Sequence, residues 1–139
     1  MFLDSHCEAT DGWYEPMAYH IKTNPKAVTI PLIDTIDYTT LEFRNINKGN
    51  DVAIGGFMWN GMFAWKYSKG GSTRRIVDPV ASPTMAGGLF AMRRDYYWEL
   101  GGYDDGMIGW GGENLEISFR VWQCHGRMDV SMPNHFCIQ

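Results

Sequence analysis

Directly after the apolar pair Phe2-Leu3 the sequence reads Asp4-Ser5-His6. On a strand, side chains at i and i+2 point the same way, so the Asp4 carboxylate and the His6 imidazole would converge while Ser5 turns aside. One hard oxygen donor and one borderline nitrogen suit a divalent ion such as Mn2+ that keeps positions open for substrate oxygens and water, whereas a structural zinc needs four protein ligands. The plainer alternative is a surface Asp beside a hydrogen-bonded His at a strand end. A second group is Trp110-Gly111-Gly112-Glu113-Asn114. Its glycines let the backbone approach a ligand, and Glu113 and Asn114 fall in the first turn of a helix, where free N–H groups and the positive dipole end face outward. There Glu113 can accept hydrogen bonds from sugar hydroxyls, Asn114 can donate to a phosphate or acceptor oxygen, and Trp110 offers an apolar face to a pyranose ring or peptide. The same residues also read as an acid that complements the helix dipole behind a Gly-Gly entry turn.

Two further glycine pairs leave backbone bare. Ala86-Gly87-Gly88-Leu89-Phe90 either touches a ligand or marks a bulge and tight inter-strand packing. Gly55-Gly56-Phe57-Met58-Trp59-Asn60 carries the same ambiguity, and its Trp59 reads as a core residue or as the wall of an aromatic acceptor groove, the core being preferred. His20, His125 and His135 have no partner at ligand spacing and read as solvated or satisfied histidines. There is no Gly-x-Ser-x-Gly elbow, no phosphate-binding Gly-x-x-x-x-Gly-Lys-Ser/Thr loop and no dinucleotide fingerprint, which argues against hydrolase, P-loop and nicotinamide chemistry.

The elements that must position these residues alternate strand and helix, an α/β pattern without internal repeats. Phe2-Leu3 reads as the end of a buried strand. Trp13, Met17 and Ile21 recur every fourth residue and Asn24-Pro25 closes the segment, predicting a helix near Gly12 to Lys22. Ala27 to Ile33 is β-branched and reads as a strand, with Pro31 assigning it to an edge or a bulge. Tyr38 to Asn50 reads as loop or irregular strand, Gly55 to Gly61 as a strand broken by close backbone approaches, and Ser68 to Pro83 as an exposed loop. Ala86 to Met92 predicts a short buried strand, followed by a helix over Asp95 to Leu100 that stops at Gly101-Gly102. A last helix spans Glu113 to Gln123. At 100° per residue Leu115, Phe119 and Trp122 share one face, and Ile117 and Val121 share the opposite one. Only a stripe with Glu116 and Arg120 stays polar, which predicts burial on two sides.

The 139 residues carry 12 basic and 16 acidic side chains, a net charge of −4, and are 45% hydrophobic. That is the composition of one globular domain or part of one, and an acidic balance argues against nucleic acid as a partner. No apolar run reaches the ~18 residues that a membrane span needs, and the first residues do not form a secretory leader. Cys7, Cys124 and Cys137 are too few and too widely spaced for a zinc ribbon or a self-contained disulfide framework.

Taken together, Phe2-Leu3-Asp4-Ser5-His6-Cys7-Glu8 and the long run from Trp110 to Cys124 resemble the polypeptide N-acetylgalactosaminyltransferases very closely. Gly55-Gly56-Phe57-x-Trp59-Asn60, Ser82 to Phe90 and Leu100-Gly101-x-Tyr103-Asp104 fall between them in the family's order and approximate spacing, so the resemblance covers about Phe2 to Val130. It implies a GT-A fold, a Rossmann-like nucleotide-sugar α/β architecture. The implied activity is transfer of N-acetylgalactosamine, with retention, from UDP-N-acetylgalactosamine to Ser or Thr hydroxyls of acceptor polypeptides, the start of mucin-type O-glycosylation. By the same resemblance Asp4 and His6 bind Mn2+, which holds the donor diphosphate. Glu113 and Asn114 act on sugar and acceptor, with Trp110, Gly87 and Gly88 in the substrate site and Trp59 near the peptide groove. An acidic chain without a phosphate-loop lysine agrees with this, since a pyrophosphate then needs a cation.

The departures from the family pattern are specific. Ala9 stands where the family has Cys, and the usual partner of Cys124 is expected outside these residues. His135-Phe136 matches part of a Gly-His-Val-Phe-Arg segment whose His is a metal ligand, but the flanking Gly, Val and Arg are absent and the role does not extend to His135. The resemblance implies that residues 1–139 are the C-terminal part of a GT-A catalytic domain, without its N-terminal uridine-binding part, its C-terminal lid or a lectin domain. It also implies a Golgi-lumenal setting within a single-pass, type II membrane parent. The alternative is a truncated, inactive fragment that serves at most as a weak peptide- or UDP-binding module.

Overall fold

Eight consecutive residues from Ala27 to Asp34 are buried, with no alternation of inside and outside, because the strand they form is covered on both faces. The computed structural model describes residues 1–44, 51–68 and 78–138, with backbone alone over 132–138. In chain order the elements are β1 (Phe2–Leu3), β2 (Cys7–Ala9), α1 (Tyr14–Thr23), β3 (Ala27–Ile36), β4 (Phe43–Arg44), β5 (Val52–Phe57), β6 (Phe63–Ser68), β7 (Val80–Ala81), β8 (Leu89–Met92), α2 (Arg94–Glu99), α3 (Glu113–Gln123) and β9 (Arg127–Ile138).

The main sheet runs β1-β8-β3-β9-β2, with β4 added to β3 and β7 to β9, while β5 and β6 pair as a separate antiparallel hairpin. β3 and β9 are parallel, and their register shifts between Pro31 and Leu32. Of the two alternatives expected at Pro31, an edge or a bulge, the structure has the bulge, in a central strand: Pro31 lacks an N–H for the ladder, and the irregularity absorbs that loss. β9 itself was not anticipated; β4 falls in the segment expected as loop or irregular strand, whereas β7 is a short strand in the described part of the segment expected as an exposed loop. Residues 45–50 and 69–77 of those segments lie outside the described residues.

Alternation along β3 and β8 sorts the core into two layers. Val28, Ile30, Leu32, Phe90 and Met92 join Met128 and Val130 against α2 and α3, through Tyr96, Leu100, Ile117 and Val121. Ile33, Leu89 and Ala91 turn the other way and meet Met17 of α1, flanked by Trp13 and Ile21. A sheet with helices on both faces results. α1 is pinned further by His20, whose Nε2 lies 2.8 Å from Asp129 Oδ2 on β9, with Arg127 on the same carboxylate. Burial pushes the Asp129 carboxyl up, but the hydrogen bonds and charges of His20 and Arg127 outweigh it and hold it below the usual range. α2 ends, as expected, at Gly101 and Gly102, both in the left-handed region.

The two-sided burial expected of α3 is half right. Leu115, Ile117, Ser118 and Val121 are buried, whereas Phe119 and Trp122 stand on an open face, where Phe119 meets Phe57 at 5.1 Å between ring centres. Among the described residues no helix is long and apolar enough to cross a membrane.

Candidate functional site

The antiparallel pairing of β1 with β8 brings the two ends of the chemistry together. Phe2 lies opposite Phe90 and Leu3 opposite Leu89, so Asp4, one residue past β1, comes beside Gly88, one residue before β8. The Asp4 N–H donates to the Gly88 carbonyl at 2.9 Å. A Cβ on residue 88 would stand 1.9 Å from Asp4 Oδ2, so the carboxylate occupies the room that the missing side chain leaves. Gly87, at φ +96°, faces the start of α3, where a Cβ would lie 3.1 Å from Asn114 Cβ and 3.7 Å from Glu113 Oε1.

α3 begins after Gly112 without a side-chain cap, so amides of its first turn are left for other partners beside Glu113. Asn114 is buried and donates from Nδ2 to the Met85 carbonyl at 2.7 Å, leaving one amide hydrogen of the same group. Asp4, Ala86, Gly87, Gly88, Trp110, Gly111, Gly112, Glu113 and Asn114 line a cleft of about 590 Å³, closed on another side by Gly61, Met62 and Phe63.

Asp4 and Glu113 are the charged side chains of this lining, and no Lys or Arg joins them among the described residues. Their field reaches neighbouring groups. Burial, then the Glu113 charge, pushes the Tyr103 phenol up to about 12. Burial and the Asp4 charge raise the Cys7 thiol. A site of this sign attracts cations and repels a bare diphosphate.

Six of the residues singled out in the sequence, Asp4, Gly87, Gly88, Trp110, Glu113 and Asn114, thus share one cleft. His6 is exposed and does not line it. Asp4-Ser5-His6 forms a turn between β1 and β2, not a strand, so the same-side argument for Asp4 and His6 does not apply. Among the described residues no three His, Cys, Asp or Glu side chains gather as a metal cluster. Trp59 is 99% exposed, which overturns its core assignment. It projects from the end of the β5–β6 hairpin, edge-on to Phe57 at 6.0 Å. His20 is satisfied by Asp129 and His125 is exposed. The side chain of His135 lies outside the described residues. Met62 and Phe63 were missed, although Asn60-Gly61 between two apolar runs is a strong hairpin dipeptide and places them at the tip.

Two family models match the chain: "Glycosyl transferase family 2" over residues 1–101 and "N-terminal domain of galactosyltransferase" over residues 77–137. The chain is 49% identical over 138 residues to "Probable N-acetylgalactosaminyltransferase 6" of Caenorhabditis elegans, covering 96% of this chain and 22% of that protein. Identity to "Polypeptide N-acetylgalactosaminyltransferase 4" of Mus musculus is also 49%, over 96% of this chain and 23% of that protein. Among solved structures, "Crystal structure of GalNAc-T7 with UDP, GalNAc and Mn2+" superimposes with a TM-score of 0.86 at 37% identity, over 99% of this chain and 26% of that one. The fold is accordingly the GT-A α/β fold. The chain spans about a quarter of the length of the relatives it matches.

Proposed function

Because the chain belongs to glycosyl transferase family 2, we propose that its cleft serves the sugar transfer of a polypeptide N-acetylgalactosaminyltransferase. N-acetylgalactosamine passes from UDP-N-acetylgalactosamine to a Ser or Thr hydroxyl of an acceptor polypeptide. The observation that carries this reading is the convergence of Asp4, the bare Gly87-Gly88 backbone and Glu113 on one cleft that no Lys or Arg lines among the described residues.

A diphosphate cannot sit beside two carboxylates without a compensating cation. Asp4 offers a carboxylate oxygen held over Gly88, and His6 stands two residues on in an exposed turn. By donor type, a carboxylate oxygen and an imidazole nitrogen would suit a Mn2+ ion that draws the rest of its coordination from phosphate oxygens and water, not a closed protein cage. Bound there, such an ion would offset charge on the leaving UDP. Glu113 accepts hydrogen bonds from sugar hydroxyls, and the remaining amide hydrogen of Asn114 is directed to donor or acceptor oxygen. Gly87 admits the donor against the main chain. Trp110 gives the pyranose or the acceptor an apolar face, and Trp59, exposed at the end of the hairpin, offers the acceptor peptide another. Transfer with retention balances as follows: the C1–O bond to phosphate breaks, the acceptor oxygen bonds C1 on the same face, and the hydroxyl proton goes to the leaving phosphate oxygen.

The setting that goes with this reading is the Golgi lumen, within a membrane-anchored parent enzyme. In that oxidising setting Cys124, exposed and free in this structure, takes part in a disulfide.

Transfer of labelled N-acetylgalactosamine to a Thr-rich peptide, with Mn2+ and with a chelator, tests the reading. Asp4→Ala and Glu113→Gln are each expected to lower transfer by at least about 100-fold, as loss of an electrostatic contact to the reacting groups does, with thermal unfolding unchanged. Transfer without metal, or full activity in either variant, would count against it. Binding of UDP with Mn2+ in calorimetry, without transfer, would support a binding module instead.

A further inference from the structure

The segment that enters the cleft is held at two points by hydroxyls that never reach it. On the hairpin side the Gly55 N–H donates to Ser82 Oγ at 2.8 Å, Ser82 Oγ donates to the Thr84 carbonyl at 2.7 Å, and Thr84 Oγ1 donates to the Gly56 carbonyl at 3.2 Å. On the helix side α3 grips both polar atoms of one residue. The Met85 N–H donates to Ser118 Oγ at 3.2 Å, Ser118 Oγ donates to the Asn114 carbonyl at 2.5 Å, and Asn114 Nδ2 donates to the Met85 carbonyl. Ser82, Thr84 and Ser118 are each fully buried and absent from the cleft lining.

Buried hydroxyls stabilise little beyond what an apolar side chain of the same shape would, but they specify one arrangement when fully bonded. Here the arrangement is a bracket between β5 and α3 whose free end is Gly87-Gly88. The Gly88 carbonyl in turn receives the Asp4 N–H, and its bare Cα lies under the Asp4 carboxylate.

We propose that Thr84 and Ser118 are positioning residues: by tying Thr84 to the Gly56 carbonyl of β5 and the next amide, that of Met85, to α3, they set where the Gly87-Gly88 backbone and Asp4 stand in the cleft, without touching a ligand. The ligand consequence rests on the sugar-transfer reading, whereas the mechanical claim does not. Asp4 is the reporter, since its amide is bonded to Gly88 and not to either hydroxyl.

The test compares the native chain with Thr84→Val and Ser118→Ala, which remove one hydroxyl each, and with Thr84→Ser, which keeps it. Amide hydrogen exchange at Asp4 is expected to accelerate about tenfold in the first two while exchange at Val28 to Ile30 of β3 stays unchanged, and to return to native in Thr84→Ser. The dissociation constant of UDP-N-acetylgalactosamine with Mn2+ is expected to rise about tenfold in the same two variants, and the loss in transfer to appear in KM for the donor with kcat within about twofold. Unchanged exchange at Asp4, or equal acceleration at Asp4 and in β3 with no rescue by Thr84→Ser, would overturn the proposal and leave these hydroxyls a purely structural role. If the native chain binds no donor, the transfer reading fails for this chain, and the exchange comparison still decides the bracket.

Discussion

Two of the walls of the cleft are made on different terms. The wall of Ala86 to Gly88 is backed by the segment Ser82 to Met85, tied to β5 on one side and α3 on the other, with Ser82, Thr84, Asn114 and Ser118 all bonded in the interior. The wall of Trp110 and Gly111 ends a segment from Asp104 of turns and bends with exposed side chains, Trp110 at 97% among them. Its own hydrogen bonds are local, from the Met107 N–H to the Asp104 carbonyl at 3.2 Å and from the Gly106 N–H to Asp104 Oδ1 at 2.9 Å. One wall is organised before a ligand arrives. The other can be reshaped around it.

Four substitutions break or sharpen that contrast. The tied wall stands on a sheet pinned to α1 by Asp129, so Asp129→Ala, which strands His20 and Arg127, should lower stability by about 3 kcal/mol in urea unfolding. Because its carboxyl is held below the ordinary range in the folded chain, the native contribution is complete above the unfolded carboxylate pKa of about 3.9 and fades as the pH falls through the folded value. The variant's deficit should shrink on acidification, and a deficit constant down to strong acid would refute the linkage. Gly88→Ala drives a methyl group to 1.9 Å from Asp4 Oδ2, so the carboxylate must move. Transfer should fall about 100-fold, the scale of a misplacement of roughly 1 Å, and native kinetics would mean that Asp4 is not set by Gly88.

On the loose wall, Trp110→Ala should leave the urea midpoint within about 0.5 kcal/mol of native, as expected at an exposed site, and weaken transfer about tenfold. A stability loss as large as that of Asp129→Ala would erase the distinction between the walls. Ile108→Ser, also fully exposed, should be neutral in stability to the same ~0.5 kcal/mol, and serves as the baseline.

Much of the site was legible because the chain carries long motif runs, and the cleft contains Asp4, Gly87, Gly88, Trp110, Glu113 and Asn114 together. The local geometry was less so. The i, i+2 argument assumed that β1 continues through His6, but β1 is two residues long and turns at Ser5. β9 escaped notice because a strand in mid-sheet loses its alternation. Asp129 and Ser131 are as buried as Met128 and Val130 between them, and Asp129 is tolerated there through His20 and Arg127. Trp59, Phe119 and Trp122 misled in the opposite direction, since apolar character alone does not say whether a face is covered or open. The hydroxyl bracket was invisible for a third reason. Ser82, Thr84 and Ser118 are common polar residues whose partners lie far away along the chain, and no periodicity records such a pairing.

Tyr103 has a consequence of its own. Burial, and then the Glu113 charge, hold the phenol up at about 12, so it keeps its proton across the neutral range and is no switch there. Any limb of a pH–rate profile near neutrality must then be traced to some other group, and replacing Tyr103 by Phe should change the height of that profile while leaving its inflection points where they were.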